Sequence, residues 1–373
     1  MDRALNRLRF AVEESRGRRY PELVHPYRNA FQRDRDRIVH ARAFRRLEDK
    51  TQVFTAGISD HFRNRLTHTI EVAQIARTVA GVLGLDEDLT EALALAHDIG
   101  HPPFAHSGEL ELDRRMTLYG ERFDHNLHAL RIVESFEQPY ASFPGLNLTF
   151  EVREGIVKHS RDLRPGESGE LEEYRPAERP PLEAQLIDLA DEIAYNTADL
   201  DDAYSAQFFD LETLGREVPP YAAIRETVET QFPGATVQTR FRETLRRVID
   251  ALVTGLIEGT WEAADASGAG SAAEVRRQPA RLARFTPASQ AVAALLKGFL
   301  HRHVYDSAVL AEERRRVSAM MGDLFDLLMA EPWRLPSPYR EQAAEEPVHR
   351  IVCDYIAGMT DGFFRRTYQQ MLG

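Results

Sequence analysis

One cysteine, Cys353, and three lysines, Lys50, Lys158 and Lys297, are all that this chain of 373 residues contains of those two types. A single cysteine excludes an intrachain disulfide and every cysteine-rich zinc site. Long apolar runs are missing too, since no uninterrupted stretch reaches the roughly 18 to 20 residues needed to span a bilayer. The N-terminal segment MDRALNRLRFAVEESRGRRY has no apolar stretch of the signal-peptide kind. Neither membrane insertion nor Sec export is expected, and the cytoplasm is the expected location. With 43% hydrophobic and 28% charged residues, 22 Gly and 19 Pro, collagen-like, low-complexity and wholly disordered chains are also excluded.

The net charge of −12 is unevenly spread. Residues 1 to 65 hold 16 basic against 9 acidic side chains, a local excess of +7, and the remainder carries −19. That balance argues against a general nucleic-acid binder, while the basic N-terminal segment offers a surface for weak single-stranded DNA binding. With so few lysines the basic side chains are almost all arginine, a pattern that codon bias explains, although arginine also supplies a bidentate fork for phosphate.

Helical periodicity dominates and strand-like alternation is scarce. His68, Val72, Ile75 and Val79 fall on one face of a helix over 66 to 80. A second helix, 87 to 99, is apolar at Leu89, Leu93 and Ala96 and stops at Gly100 and the turn HPPF. A third, 182 to 202, has a buried stripe of Leu186, Leu189, Ile193 and Ala194 and a polar stripe of Asp188, Asp191, Tyr195 and Asp199. Further periodic segments are 125 to 137, 221 to 231, 239 to 262, 288 to 304, 308 to 330 and 348 to 371. Residues 161 to 181, 263 to 280 and 331 to 347 read as long connections, either mobile or part of an assembly surface. The expectation is an all-α fold, a single helical domain with a C-terminal helical extension.

Seven of the 13 histidines lie between 68 and 159, and the densest cluster is AHDIGHPPFAHSGE at 96 to 109. It holds His97, Asp98, His101, His106 and Glu109 at a helix end and the turn behind it. Imidazole and carboxylate together are ligands for Zn, Mn, Fe or Mg. His68 sits on the apolar stripe of its helix, where a buried imidazole needs a partner. A lone histidine there also reads as a satisfied core residue. Asp191 repeats the oddity on a later helix, where an unpaired buried carboxylate is costlier still.

One His, a His-Asp pair and a distant Asp on three helices resemble the HD superfamily of metal-dependent phosphohydrolases. The likeness covers nearly the whole chain. DRDRIVHARAFRRLEDKTQVF at 34 to 54, RLTHTIEVAQIAR at 65 to 77, AHDIGHPPFAHSGE, FDHNLHALRIVE at 123 to 134, LNLTFEVREGIVKHS at 146 to 160, LIDLADEIAYNTADLDD at 186 to 202 and VCDYIAGMTD at 352 to 361 resemble, in order, the motifs of the deoxyguanosine triphosphate triphosphohydrolase (dGTPase) family.

That resemblance implies an HD-domain helical bundle, with a metal-binding core over 62 to 202 and an extension over 203 to 373 inside one dGTPase-like domain. It implies His68, His97, Asp98 and Asp191 as ligands of a divalent metal, Mn, Mg or Fe, and a dNTP substrate cleaved to deoxynucleoside and triphosphate. A second ion held mainly by substrate oxygens follows from the Mg that nucleotides carry. His106 takes the role of proton donor and Glu109 that of its partner. Phosphate contacts fall to His101 and His125, Arg65 is expected at the α-phosphate or the sugar, and Arg46 and Lys158 are further candidates. Gln52 and Asp199 are expected at the 3′-hydroxyl and Tyr195 against C2′. Family members are typically homo-oligomers built on dimers. The segment LHRHVYDSAVL at 300 to 310 departs from the pattern, with Ser307 where a histidine is expected, and offers only His303 and Tyr305 as contacts. Competing readings are an HD phosphohydrolase of nucleoside monophosphates or guanosine tetraphosphate alarmones, and a nucleotide-sensing or single-strand DNA-binding scaffold.

Overall fold

The computed structural model describes residues 4–53, 63–167 and 169–373. Phe54, which ends the KTQVF run, and residue 62, the expected start of the metal-binding core, lie outside the described residues. The described residues are all-α and form no strand; one isolated antiparallel bridge joins Thr51 to Asn64. None of their helices is long and apolar enough to cross a membrane.

The first helices are α1 (Ala30–His40), α2 (Arg42–Arg46), α3 (Arg65–Leu83), α4 (Glu87–Ala96), α5 (Ala105–Thr117), α6 (His125–Arg131), α7 (Phe150–Val157) and α8 (Leu182–Ser205). Then come α9 (Leu211–Glu217), α10 (Pro219–Gln231), α11 (Val237–Ser267), α12 (Ala272–Arg276) and α13 (Pro287–Leu300). The chain closes with α14 (Ala308–Ala330), α15 (Ser337–Gln342), α16 (Val348–Ala357) and α17 (Asp361–Leu372). The expected helix over 348 to 371 is therefore two helices, restarted where the Thr360 hydroxyl caps α17 by accepting from Phe363 N–H. The connections expected at 161 to 181, 263 to 280 and 331 to 347 carry short helical turns of their own.

Caps and apolar stripes place the helices that matter for function. The Asn64 side chain accepts from Thr67 N–H to start α3, and left-handed Gly84 ends it. Asp86 caps α4 in the same way. The inward stripe of α3, from His68 through Val72, Ile75 and Val79, meets α4 and α8, so the three helices close on one another. Gly100 lets α6 approach the turn after α4, because a Cβ there would collide with the His125 carbonyl and the Ala129 backbone.

Apolar packing crosses the expected division at residue 203. One core runs from Leu5 through α3, α4 and α8 to α11 and α13, ending at Leu310. A second joins Phe104, Leu112, Met116 and Phe123, around α5, to α14, α16 and α17. Many basic side chains of the N-terminal segment are engaged in ion pairs: Arg9, Arg18, Arg28, Arg35, Arg37 and Arg63 each pair with a carboxylate, with the side chains of Arg18 and Arg37 buried and those of Arg9 and Arg28 exposed. Three of these partners, Asp86, Glu91 and Asp202, come from the rest of the chain and so offset part of the excess.

Glu183, in the first turn of α8, fastens that segment. Its Oε1 accepts from the N–H of Phe10 at 2.9 Å and of Asp86 at 3.1 Å, while Oε2 is buried without a hydrogen bond. Burial pushes the carboxyl up to about 7. Because the folded value is raised, its contribution to stability is complete below the ordinary value and is lost as pH rises through about 7. Glu183→Gln is expected to remove that loss, worth roughly 3 kcal/mol between pH 5 and 8. Denaturation of both proteins across that range checks it, and parallel pH profiles would contradict it.

Candidate metal centre and active site

Three helices bring four donors into one cluster. His68 projects from α3, His97 and Asp98 from the turn ending α4, and Asp191 from α8. His68 Nε2 lies 2.8 Å from Asp191 Oδ1, and His97 Nε2 lies 3.5 Å from Asp98 Oδ1 and 3.9 Å from Asp191 Oδ1. His97 Nδ1–H donates to the Ala94 carbonyl at 2.6 Å, so Nε2 carries a lone pair, and that atom is buried with no hydrogen-bond partner. An orphan acceptor of this kind costs about 1 to 3 kcal/mol unless something fills it.

A divalent cation fits that demand. Donor atoms of His68, His97 and Asp98 lie within 4.8 Å of one another, as do those of His97, His159 and Asp191. Two imidazoles and two carboxylates form a mixed N and O set suited to Mn, Fe or Mg. The protonation states of His97 and the two carboxylates agree with it, whereas burial opposes protonation of His68 but its bond to Asp191 prevails and raises it, so a cation there would take the place of that proton. Burial drives the His97 imidazole toward neutrality. Burial also opposes ionisation of Asp98 and Asp191, but the Arg65 charge on the first and the His68 hydrogen bond on the second outweigh it, and both carboxylates are held below their ordinary range.

His159, unassigned from the sequence, belongs to this cluster. Its Nδ1 lies 2.8 Å from Asp188 Oδ1, its Nε2 lies 4.0 Å from Asp191 Oδ2, and its ring sits 5.1 Å from that of His97. Asp188 and Asp191 are three residues apart on one face of α8, which was the available signal.

A second group adjoins the first through Asp98. His101 Nε2 is 3.1 Å from Asp98 Oδ1, and its ring stacks on His125 at 3.9 Å and 13°. Glu109 Oε1 accepts from the backbone N–H of His125 at 2.9 Å and from its Nδ1–H at 2.7 Å; Oε2 accepts from His106 Nδ1–H at 3.3 Å. Burial raises the Glu109 carboxyl, but its bonds to the two histidines prevail and hold it well below the ordinary range. His106 is 81% exposed and free to meet a ligand. It follows two left-handed residues, Phe104 (φ 62°) and Ala105 (φ 54°), each costing about 1 to 3 kcal/mol without a glycine.

Farther along α8, Tyr195 and Tyr305 stack at 5.8 Å, and the Tyr305 hydroxyl donates to Asp199. Burial pushes the Asp199 carboxyl up to about 7. Tyr305 lies in a π-helical turn, His301–Tyr305, that follows α13. Gln52 is half-buried, and its Oε1 has no hydrogen bond among the described residues.

One other expected contact is corrected. Lys158 is a structural residue: its three ammonium hydrogens go to Glu154 Oε1 (2.8 Å), Arg175 O (3.0 Å) and Glu178 O (2.8 Å), leaving none for phosphate. Arg46 reaches the Gly358 carbonyl at 3.0 Å and so ties α2 to the C-terminal helices. Arg65 is buried and donates to Asp98 Oδ2 at 2.6 Å. His303 turns to Glu217 Oε1 at 3.0 Å. Ser307, at the position where a histidine was expected, caps α14 by accepting from Leu310 N–H at 3.4 Å.

Converging histidines and aspartates of this kind suit a phosphohydrolase of the HD class, and the HD domain model matches residues 65–196. A phosphohydrolase-associated domain matches residues 283–370. Deoxyguanosinetriphosphate triphosphohydrolase-like proteins are similar over nearly the full length. That of Azoarcus sp. (strain BH72) is 44% identical over 365 residues, 97% of this chain and 95% of its own. That of Cereibacter sphaeroides (strain ATCC 17029 / ATH 2.4.9) is 43% identical over 375 residues, 96% and 97% of the two chains. That of Geobacter sulfurreducens (strain ATCC 51573 / DSM 12127 / PCA) is 42% identical over 360 residues, 95% and 92%. The chain belongs to this deoxyguanosinetriphosphate triphosphohydrolase-like family of metal-dependent HD phosphohydrolases.

Proposed function

We propose that this protein hydrolyses deoxynucleoside triphosphates to deoxynucleoside and inorganic triphosphate. The observation that carries the reading is Glu109, an anion shared by His106 and His125 beside the His-Asp cluster. That arrangement serves a leaving group that must be protonated, as a 5′-alkoxide must be. The names of the relatives point to the same substrate class.

In this reading His68, His97, Asp98 and Asp191 hold a divalent cation. When bound, that ion supplies Lewis acidity to a water and to the phosphoryl oxygens. Water adds to the α-phosphorus as the bond to the 5′ oxygen breaks. His106, held through Nδ1 by Glu109, delivers a proton from Nε2 to that oxygen, and the entering water loses one to solvent. His101 and His125 line the phosphates, and Arg65 acts through its pair with Asp98. The test is chromatography of the products from each dNTP with Mn, Mg or Fe added singly. Triphosphate with deoxynucleoside supports the reading, whereas orthophosphate or pyrophosphate moves the protein to another branch of HD hydrolases.

The sugar faces the next turns of α8, with Gln52 and Asp199 at the 3′-hydroxyl and the Tyr195 ring against C2′. A 2′-hydroxyl then meets an aromatic wall and loses its hydrogen bonds, two effects of about 1 to 3 kcal/mol each. The wild type is expected to prefer dGTP over GTP by roughly a hundredfold or more, and Tyr195→Ala to lose most of that preference. Steady-state comparison of dGTP with GTP and of dATP with ATP measures it. Equal use of ribonucleotides by the wild type would remove α8 from sugar reading.

A further inference from the structure

The run VCDYIAGMTD takes no part in the chemistry above, yet its last residue touches both loops that serve it. Asp361 opens α17, a favourable place for an anion. Its Oδ2 accepts from the Thr51 N–H, 3.0 Å away, and from the Thr51 hydroxyl. Its Oδ1 accepts from the Phe104 N–H, also at 3.0 Å. Thr51 directly precedes Gln52, and Phe104 is the first of the two left-handed residues leading into His106.

The same helix grips Phe104 twice more. The Phe364 ring meets it edge-on at 5.2 Å, and the Arg365 guanidinium lies 4.9 Å over its face. Just upstream, the Ala357 carbonyl accepts from Lys50 Nζ at 3.2 Å, and that ammonium also donates to the His101 carbonyl. Left-handed non-glycine residues persist only where the surroundings over-determine them, and here the surroundings come from more than 250 positions away in sequence.

We infer that Asp361 is a positioning residue that holds the Gln52 segment and the His106 turn in register over the metal centre, so that the C-terminal helices set the geometry of proton delivery. This deepens the proposed function and rests on the role given there to His106. A carboxylate alone can accept on both sides; an amide keeps one acceptor and turns its NH2 toward the other N–H.

The test uses Asp361→Asn in the full chain, with Thr51→Val as a milder second variant that removes only the hydroxyl bond. Asp361→Asn is expected to leave metal content unchanged and to speed amide hydrogen exchange at Thr51 and Phe104 about tenfold. Its kcat should fall roughly 10- to 100-fold, the cost of a misplaced proton donor. In a His106→Ala background, either substitution should lower kcat by less than about twofold further, because the proton donor being positioned is already gone, while an effect carried through Gln52 should appear in KM. Losses that multiply in the double variants, or wild-type exchange at both amides, would overturn the inference. If Asp361→Asn does not fold, Thr51→Val is judged by the same double-variant comparison. A wild type that makes no triphosphate from any dNTP would refute the functional reading alone, and amide exchange at Thr51 and Phe104 would still decide the clamp.

Discussion

Alanine at both 97 and 98 is expected to empty the metal centre and abolish hydrolysis. The double variant removes the buried Nε2 that has no other partner and a carboxylate oxygen shared by His97 and His101. Loss of metal catalysis is worth several kcal/mol, so turnover should fall by at least about 10³-fold. The apolar stripes of α3, α4 and α8 lie elsewhere, and the helical circular dichroism should persist. Stability has a separate cost. Asp98 is the 2.6 Å partner of buried Arg65, and stranding that guanidinium costs about 3 to 5 kcal/mol. The variant should therefore fold with a lowered Tm. Elemental analysis decides the matter, because a full metal complement in the double variant would overturn the ligand assignment.

His106→Ala is expected to behave differently, with metal and substrate still bound and kcat lowered by roughly two to four orders of magnitude. Its side chain is 81% exposed, so Tm should hardly move. The loss should shrink for a substrate whose leaving group needs no proton, such as a p-nitrophenyl ester, which separates proton donation from substrate placement. Glu109 is held anionic by its two histidines, so the pairing is present above the ordinary carboxyl range and is lost only as pH falls through the depressed value. Acidification to about pH 5 thus leaves the His106 partner in place. Single-turnover rates near wild type would remove His106 from the chemistry.

Where a helix keeps an outward face, as α3 does, its extent and its misplaced polar residues are readable from spacing alone. His68 stood out for that reason, and it meets Asp191, from the polar stripe of α8, at 2.8 Å. The pattern fails where the inward face is charged or where there is no outward face. On α1 the buried positions include Asp34, bonded to Thr149 and paired with Arg18, and Arg37, paired with Glu22. All eight residues of α7 are buried, so no period survives to be read.

Lys158 was misjudged because two of its three acceptors, the Arg175 and Glu178 carbonyls, come from a connection whose path no local pattern reveals. Tyr305 reaches Asp199 from a π-helical turn, and a search at 3.6 residues per turn cannot register that shift. Asp361 lies 310 positions from Thr51, a contact only tertiary packing creates.

Hydrolysis of dGTP in ¹⁸O-labelled water, followed by mass spectrometry of both products, tests the central claim most directly. Attack at the α-phosphorus predicts one labelled oxygen in the triphosphate and none in the deoxynucleoside. Label in orthophosphate, pyrophosphate or a nucleoside monophosphate would contradict it.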